Sequence, residues 1–417
     1  MTVSSRARLR RFWFLVHMWI GVGLFLLLIP ISLSGSWLVW RPELDRLEHP
    51  GRYAVSSRPA ALPVSTYLAN AETALAGRAH AAAIRLPFRE GDPVIAQALG
   101  ARGGRGGEEA RRETPPEGGM RAEGAGRGGP RGEGERRGGA RAQLAVWLDP
   151  GSGKVLEVGD ARGGLSAFVH DLHGQLFVFG VGRTIVGWLG VLMLGSCLTG
   201  LWLWWPKAGP LTLGFRWRRG PGVLINLHYL TGFWISIPLA VLALTGALIA
   251  FPNFTRSVVS LSAPVSPARF GFGGPPGRGG PPLGHTELTA DQAASAAVTA
   301  AEGGKVVSLA LPSRGPAPPA WRIQVAKPGG PPLNVAVPDS PGAAASVQSG
   351  PKPAAGDQLI RLNRNIHEGE GSLLWKLIAT LAGLAPALLG ITGVTVWAKT
   401  QLRKTSLRGP NPVSIGD

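Results

Sequence analysis

Four histidines stand at matched places beside or within the apolar stretches of this chain, and imidazoles so placed suit metal ligation. His17 opens one run in Val16-His17-Met18-Trp19-Ile20-Gly21, and His228 opens another in Leu227-His228-Tyr229-Leu230-Thr231-Gly232. Gly35 follows His17 by 18 residues, and Gly246 follows His228 by the same 18. Two further runs align on Arg183, Gly190, Gly200 and Trp204 against Lys376, Gly383, Gly393 and Trp397, with identical spacing. His173 and His367 precede them in related contexts, Asp171-Leu172-His173-Gly174 and Asn365-Ile366-His367-Glu368-Gly369. Ionisable groups in lipid are costly, which makes them functional candidates. The duplication leads to the expectation that His17 pairs with His228, and His173 with His367, as axial ligands of two haem irons; a hydrogen-bonded interfacial imidazole is the other reading of each.

Gly21 and Gly232, one turn beyond the first pair, leave room on the same face for a flat macrocycle; helix packing is the other use of small residues there. In the second pair the spacing is off by one, 27 residues from His173 to Gly200 against 26 from His367 to Gly393. His170, one turn before His173, is therefore an alternative ligand. Arg183 and Lys376 occupy equivalent sites at the outer membrane edge, where a cation suits a haem propionate. Interfacial anchoring by snorkelling explains them as well. His49, His80 and His285 fall in outer segments without evident partners and are expected to face solvent.

Other cofactor chemistries find little support. His-Glu-x-x-His is absent and the histidines are too dispersed for a compact zinc site. No Gly-x-Gly-x-x-Gly follows a strand, so neither a bound nicotinamide nor a flavin is expected. Cys197 is the single cysteine and there is no Cys-x-x-Cys-His, so any haem is b-type.

Positioning these groups requires a membrane scaffold. Phe12–Trp40, Thr184–Trp205, Val223–Phe251 and Leu373–Ala398 are each long enough to cross a bilayer as a helix. Interior prolines (Pro30, Pro238, Pro386) are tolerated where neighbouring groups satisfy the freed carbonyls. The first run stays apolar through Trp40 and offers no small-residue cleavage site, so it reads as an uncleaved span. Lys and Arg cluster in the N-terminus, in the 206–222 loop and in the 399–417 tail, which places these in the cytoplasm. Much of the net charge of +18 is thus a topology signal, and nucleic acid is not an expected partner.

The chain then divides into 1–40 (cytoplasmic N-terminus and first span), 41–170 (outer module), 171–205 (ligand segment and second span) and 206–222 (loop). Its second half repeats the plan as 223–251, 252–366, 367–398 and the tail 399–417. Each outer module reads as a small α+β unit. The first has a helix over 63–76, a strand at 83–86 and a hairpin of Gln143–Leu148 with Lys154–Val158 around Asp149-Pro150-Gly151-Ser152-Gly153. The second has a helix over 289–301 with Thr289 as N-cap, and strands at 306–311 and 321–326. The segment 100–142 holds 15 Gly, 10 Arg and 7 Glu, too polar to bury a core, and reads as a flexible insertion. The Pro/Gly-rich stretches 264–284 and 328–356 read as linkers or loops.

With these residues laid out, the chain resembles the PepSY-associated transmembrane family. The likeness rests on the His17, His173, His228 and His367 contexts quoted above, together with Ser34-Gly35, Thr199-Gly200, Thr245-Gly246 and Thr392-Gly393. It implies a four-helix membrane bundle from two repeated halves, with two PepSY-like periplasmic modules, in the bacterial inner membrane. It further implies a ferric-siderophore reductase in which His17, His228, His173 and His367 ligate two haems b. A cytoplasmic or quinol donor would supply electrons to a ferric siderophore or other periplasmic iron chelate. The alternative is a non-redox, membrane-anchored protein that binds or regulates a periplasmic peptide, protease or uptake partner.

Overall fold

The computed structural model describes residues 5–56, 62–87, 89–100, 143–160, 163–205, 212, 220, 222–266, 281–315, 318–330, 332–348 and 354–406. The insertion 101–142 and most of the 206–222 loop lie outside the described residues. In chain order the first half comprises α1 (Ser5–Leu38), α2 (Arg41–Glu48), α3 (Val64–Leu75), β1 (Ala79–Arg85), β2 (Val94–Gly100), β3 (Gln143–Leu148), β4 (Val155–Asp160), α4 (Gly164–Gln175) and α5 (Gly182–Trp204). The second comprises α6 (Val223–Ala250), α7 (Pro252–Ser260), α8 (Ala290–Ala300), β5 (Lys305–Ala310), β6 (Ala320–Ala326), β7 (Leu333–Pro338), β8 (Ser346–Gln348), α9 (Ala355–Glu368) and α10 (Leu373–Ser406). These elements gather into two compact units, 1–47 with 164–269 and 351–417, and 48–163 with 270–350.

The first unit is helical. α1, α5, α6 and α10 are long and apolar enough to cross a membrane, and α1, α6 and α10 run on through Pro30, Pro238 and Pro386. Small residues let the helices approach closely. A Cβ built on Gly190 of α5 would lie 3.1 Å from the Ala243 carbonyl oxygen and 3.4 Å from Ala247 Cβ on α6. Its repeat equivalent on α10, Gly383, is met by Ser36 of α1 in the same way. Packing therefore obeys the internal duplication that the spacing predicts.

α4 and α9 are short helices that carry His173 and His367 in their last turns. α9 ends on Gly369 at φ +77°, a left-handed cap that glycine adopts freely. α4 leaves instead through Leu176 and Phe177, both left-handed at φ +52° and +57°. The extra residue between His173 and Gly200 is absorbed in this connection, which explains the one-residue offset between the halves.

The second unit corrects the expectation of two separate modules. Its strands form one antiparallel eight-stranded sheet in the order β4-β3-β2-β1-β5-β6-β7-β8. Pairing of Ala83 with Ala310, Ile84 with Leu309 and Arg85 with Ser308 joins the halves edge to edge, which leaves neither half an open edge at the seam. Tyr67, Ile84, Val146, Leu309, Trp321 and Ile323 are essentially fully buried in one shared core beneath α3 and α8. Thr289 caps α8 in a capping box with Gln292, and Ser65 on α3 donates to Asp291 on α8. The segment 328–356 is not a linker: β7 and β8 lie within it.

Candidate functional site

All four histidines are held in one recurring way. In each case Nδ1 faces the carbonyl oxygen and the hydroxyl of one turn on another helix. Nδ1 of His17 lies 3.1 Å from the Ser196 carbonyl and 3.1 Å from Thr199 Oγ1 on α5. Nδ1 of His228 lies 3.0 Å from Thr392 Oγ1 and also meets the Leu389 carbonyl on α10. Nδ1 of His173 lies 2.9 Å from the Ile31 carbonyl and 3.3 Å from Ser34 Oγ on α1. Nδ1 of His367 lies 3.1 Å from the Leu242 carbonyl and 3.1 Å from Thr245 Oγ1 on α6.

The hydroxyls settle the tautomer. Thr199, Thr245 and Thr392 donate their single hydrogens to carbonyls of their own helices, as Ser34 does to Ile31. They therefore accept from the rings, as the carbonyls must. Each Nδ1 carries the proton, and each Nε2 is left with its lone pair free, the state in which imidazole binds a metal.

The residue after each hydroxyl is a glycine, and the imidazole occupies the space of its missing side chain. A Cβ built on Gly35 or Gly246 would sit 2.8 Å from Cε1 of His173 or His367. On Gly200 and Gly393 the distances to Cε1 of His17 and His228 are 3.1 and 3.3 Å. The Ser/Thr-Gly dipeptides visible in the sequence are thus seats for imidazoles. Their glycines are required by close approach.

The helices bring the rings together in the expected pairs. Ring centroids of His17 and His228 are 6.4 Å apart, and those of His173 and His367 are 6.1 Å apart. Two metal–nitrogen bonds of about 2 Å and two ring half-widths add to roughly 6 Å, which matches the separation of the rings in each pair. Gly21 has nothing within 4 Å of a built Cβ, and Gly232 only Leu389 at 3.8 Å, so space lies one turn from the first pair. Among the described residues no three His, Cys, Asp or Glu converge. Two imidazoles alone suit a metal whose other ligands come from a macrocycle, and the residues present fit haem b.

The remaining sequence candidates fall as follows. His170 is exposed, and it is His173 that faces His367. Arg183 donates to the Ile249 carbonyl at 2.6 Å. Lys376 pairs with Glu43 and lies 4.5 Å from the Trp40 ring centroid. Both cations thus have protein partners. His49 and His80 are not isolated, lying 3.9 Å from Glu157 and 3.4 Å from Glu72, while His285 is exposed. Two buried side-chain polar atoms lack any partner among the described residues, Ser166 Oγ and Trp397 Nε1. The sequence marked Trp397 only as a repeat position and did not single out Ser166.

Fold and site together define a polytopic membrane protein with a duplicated helical bundle and paired, pre-oriented imidazoles. The family model of the PepSY-associated TM region matches residues 14–400, and the chain belongs to that family. Compared with curated proteins, it matches none.

Proposed function

We propose that this protein is a di-haem b-type electron conduit of the bacterial inner membrane, a ferric-siderophore reductase-like enzyme that reduces ferric chelates on the periplasmic side. The observation that carries the reading is the fourfold recurrence of an Nδ1-anchored imidazole, assembled into pairs at 6.4 and 6.1 Å. Haem b supplies reversible one-electron carriage when bound between such ligands.

The chain's own residues do the rest. His17 and His228 would hold one iron, and His173 and His367 the other. Their Nδ1–H bonds to Ser196 and Thr199, Leu389 and Thr392, Ile31 and Ser34, and Leu242 and Thr245 fix ring orientation and keep the imidazoles electron-rich. The Lys/Arg bias supports a topology with the termini and the 206–222 loop in the cytoplasm, where a soluble or quinol donor would deliver electrons nearer His17 and His228. The sheet unit then lies outside, on the side of the acceptor. One electron converts chelated Fe³⁺ to Fe²⁺, the softer and less charged ion, which hard oxygen ligands hold less tightly.

The absorption spectrum of protein purified from haem-replete cells tests this. The expected result is a Soret band, sharpened α and β bands on dithionite reduction, and two haems per chain. A preparation without a Soret band overturns it and favours a non-redox role for the sheet unit.

A further inference from the structure

A buried N–H without an acceptor is costly, and native proteins seldom leave one. Trp397 Nε1 is such a group. Trp397 lies one turn beyond Gly393 on the same face of α10, and Gly393 is where α10 meets the His228 ring. The orphan donor therefore belongs to a residue one turn from the seat of the His228 ring.

The duplication supplies the comparison. Trp204 occupies the equivalent place on α5, four residues after Gly200. It is 6% exposed and stacks on Phe233 at 3.9 Å and 23°. Phe233 follows His228 by five residues, and the residue that follows His17 by five is Val22. The halves differ at this one layer: an aromatic stack in one, a small aliphatic residue and an unsatisfied indole N–H in the other.

Geometry says what an acceptor here would be. A haem held by His17 and His228 would bring its periphery to the layer of α10 that follows Gly393. Trp397 is one turn from Gly393, about 5.4 Å along the axis. The periphery of haem b offers methyl and vinyl groups and two propionates, and only the propionates accept hydrogen bonds.

We infer that Trp397 Nε1 donates to a haem propionate at the His17/His228 pair, an inference that rests on the haem reading above. Trp397 is a positioning residue: it fixes the macrocycle's rotation about the His–His axis and stabilises a carboxylate in a poorly solvated place. Arg183 and Lys376, the cations that the sequence offered for propionates, stand at the other end of the spans.

The test uses the full-length protein in detergent or nanodiscs. Haem release to excess apomyoglobin is followed for the wild type and for Trp397→Phe, which keeps the ring and removes only the N–H. The phase that is absent in His228→Ala is expected to accelerate on the order of tenfold in Trp397→Phe, the usual weight of a hydrogen bond to a charged group. The midpoint potential of the same haem is expected to fall, because an unshielded carboxylate favours ferric iron. Wild-type protein reconstituted with haem dimethyl ester, whose acid oxygens are capped, should show the same acceleration, and Trp397→Phe should add nothing to it. Wild-type protein that binds haem, with release and potential unchanged in Trp397→Phe, or with additive effects of variant and ester, overturns the inference alone. Wild-type protein that binds no haem overturns the parent reading.

Discussion

Replacing Gly35 by alanine separates ligand packing from helix stability, because the two respond in opposite directions. The new Cβ would stand 2.8 Å from His173 Cε1 and 3.2 Å from its Nδ1. Carbon atoms in good contact lie about 3.5–4.0 Å apart, so the ring must retreat by roughly 0.7 Å or more. It cannot retreat freely, since the Ile31 carbonyl and Ser34 hydroxyl that anchor Nδ1 belong to the same turn. Overpacking of this kind costs about 1–3 kcal/mol, which is a fall in haem affinity of about 5- to 150-fold. The helix itself gains, because alanine is favoured over glycine in a helix interior by about 1 kcal/mol. Gly35→Ala protein should thus bind haem less tightly while its haem-free form melts at the same or a higher temperature. The series is graded by the built distances: Gly35→Ala and Gly246→Ala most severe, then Gly200→Ala at 3.1 Å, then Gly393→Ala at 3.3 Å. Haem-to-protein ratios by the pyridine haemochrome method, with intrinsic-fluorescence melts of the haem-free proteins, measure both sides. Undiminished haem affinity in Gly35→Ala and Gly246→Ala, or a series in the reverse order, would refute the reasoning.

Single-histidine variants should sort by pair: His17→Ala and His228→Ala each remove the same haem, His173→Ala and His367→Ala the other, while His170→Ala keeps both. Loss of a haem in His170→Ala, seen in the dithionite difference spectrum, would dismiss the outer assignment. Thr392→Val keeps the shape of the seat and removes one acceptor from His228 Nδ1–H; the imidazole becomes a weaker electron donor and the midpoint potential of that haem should rise in a redox titration. In the sheet unit, burial works against the charge of Asp149, yet hydrogen bonds from Ser152 and Ser56 outweigh it and hold the carboxyl below its ordinary value. That stabilisation is present above the unfolded carboxylate pKa and is lost as pH falls through the lower folded value. Asp149→Asn should therefore weaken hydrogen-exchange protection over 143–160 at neutral pH by about 1–3 kcal/mol, and the difference should close in acid. Leu309→Ala, at the seam between β1 and β5, should cost about 2–5 kcal/mol and destabilise strands from both halves together; loosening confined to β5–β8 would mean the halves fold independently.

The membrane spans were legible because a bilayer demands some 20 apolar residues, and that demand is local. The histidine pairs were legible for a different reason: duplication turned four separate positions into a pattern with equal spacings. What each histidine would rest against was hidden. Ser34-Gly35 stands out in the sequence as a mark near the end of α1, yet it serves His173, which lies 138 residues beyond Gly35. No periodicity within α1 reveals a customer on another helix. The sheet was half-read for similar reasons. β7 carries its signal openly, with Val335 and Val337 buried at period two, but prolines and glycines on either side made the stretch look like loop. The pairing of β1 with β5 joins residues more than 200 apart. Nothing in either strand announces the other.

One helix fixes the rise between the two pairs. α1 carries His17 itself and also Ile31, Ser34 and Gly35, which seat His173. The levels are therefore 14 to 18 residues apart, about 21–27 Å at 1.5 Å per residue. α6 repeats the relation with His228 and the Leu242–Gly246 turn that seats His367. Measured instead to Trp40, at the end of the first apolar run, the rise from His17 would be about 35 Å. α4 and α9 shorten the path by holding their last-turn histidines against turns of α1 and α6 that lie one to two turns inside the helix ends. Each pair also takes one ligand from each half. On the proposed reading, neither half-chain alone offers two imidazoles to one iron, and the duplication is a condition of the electron path.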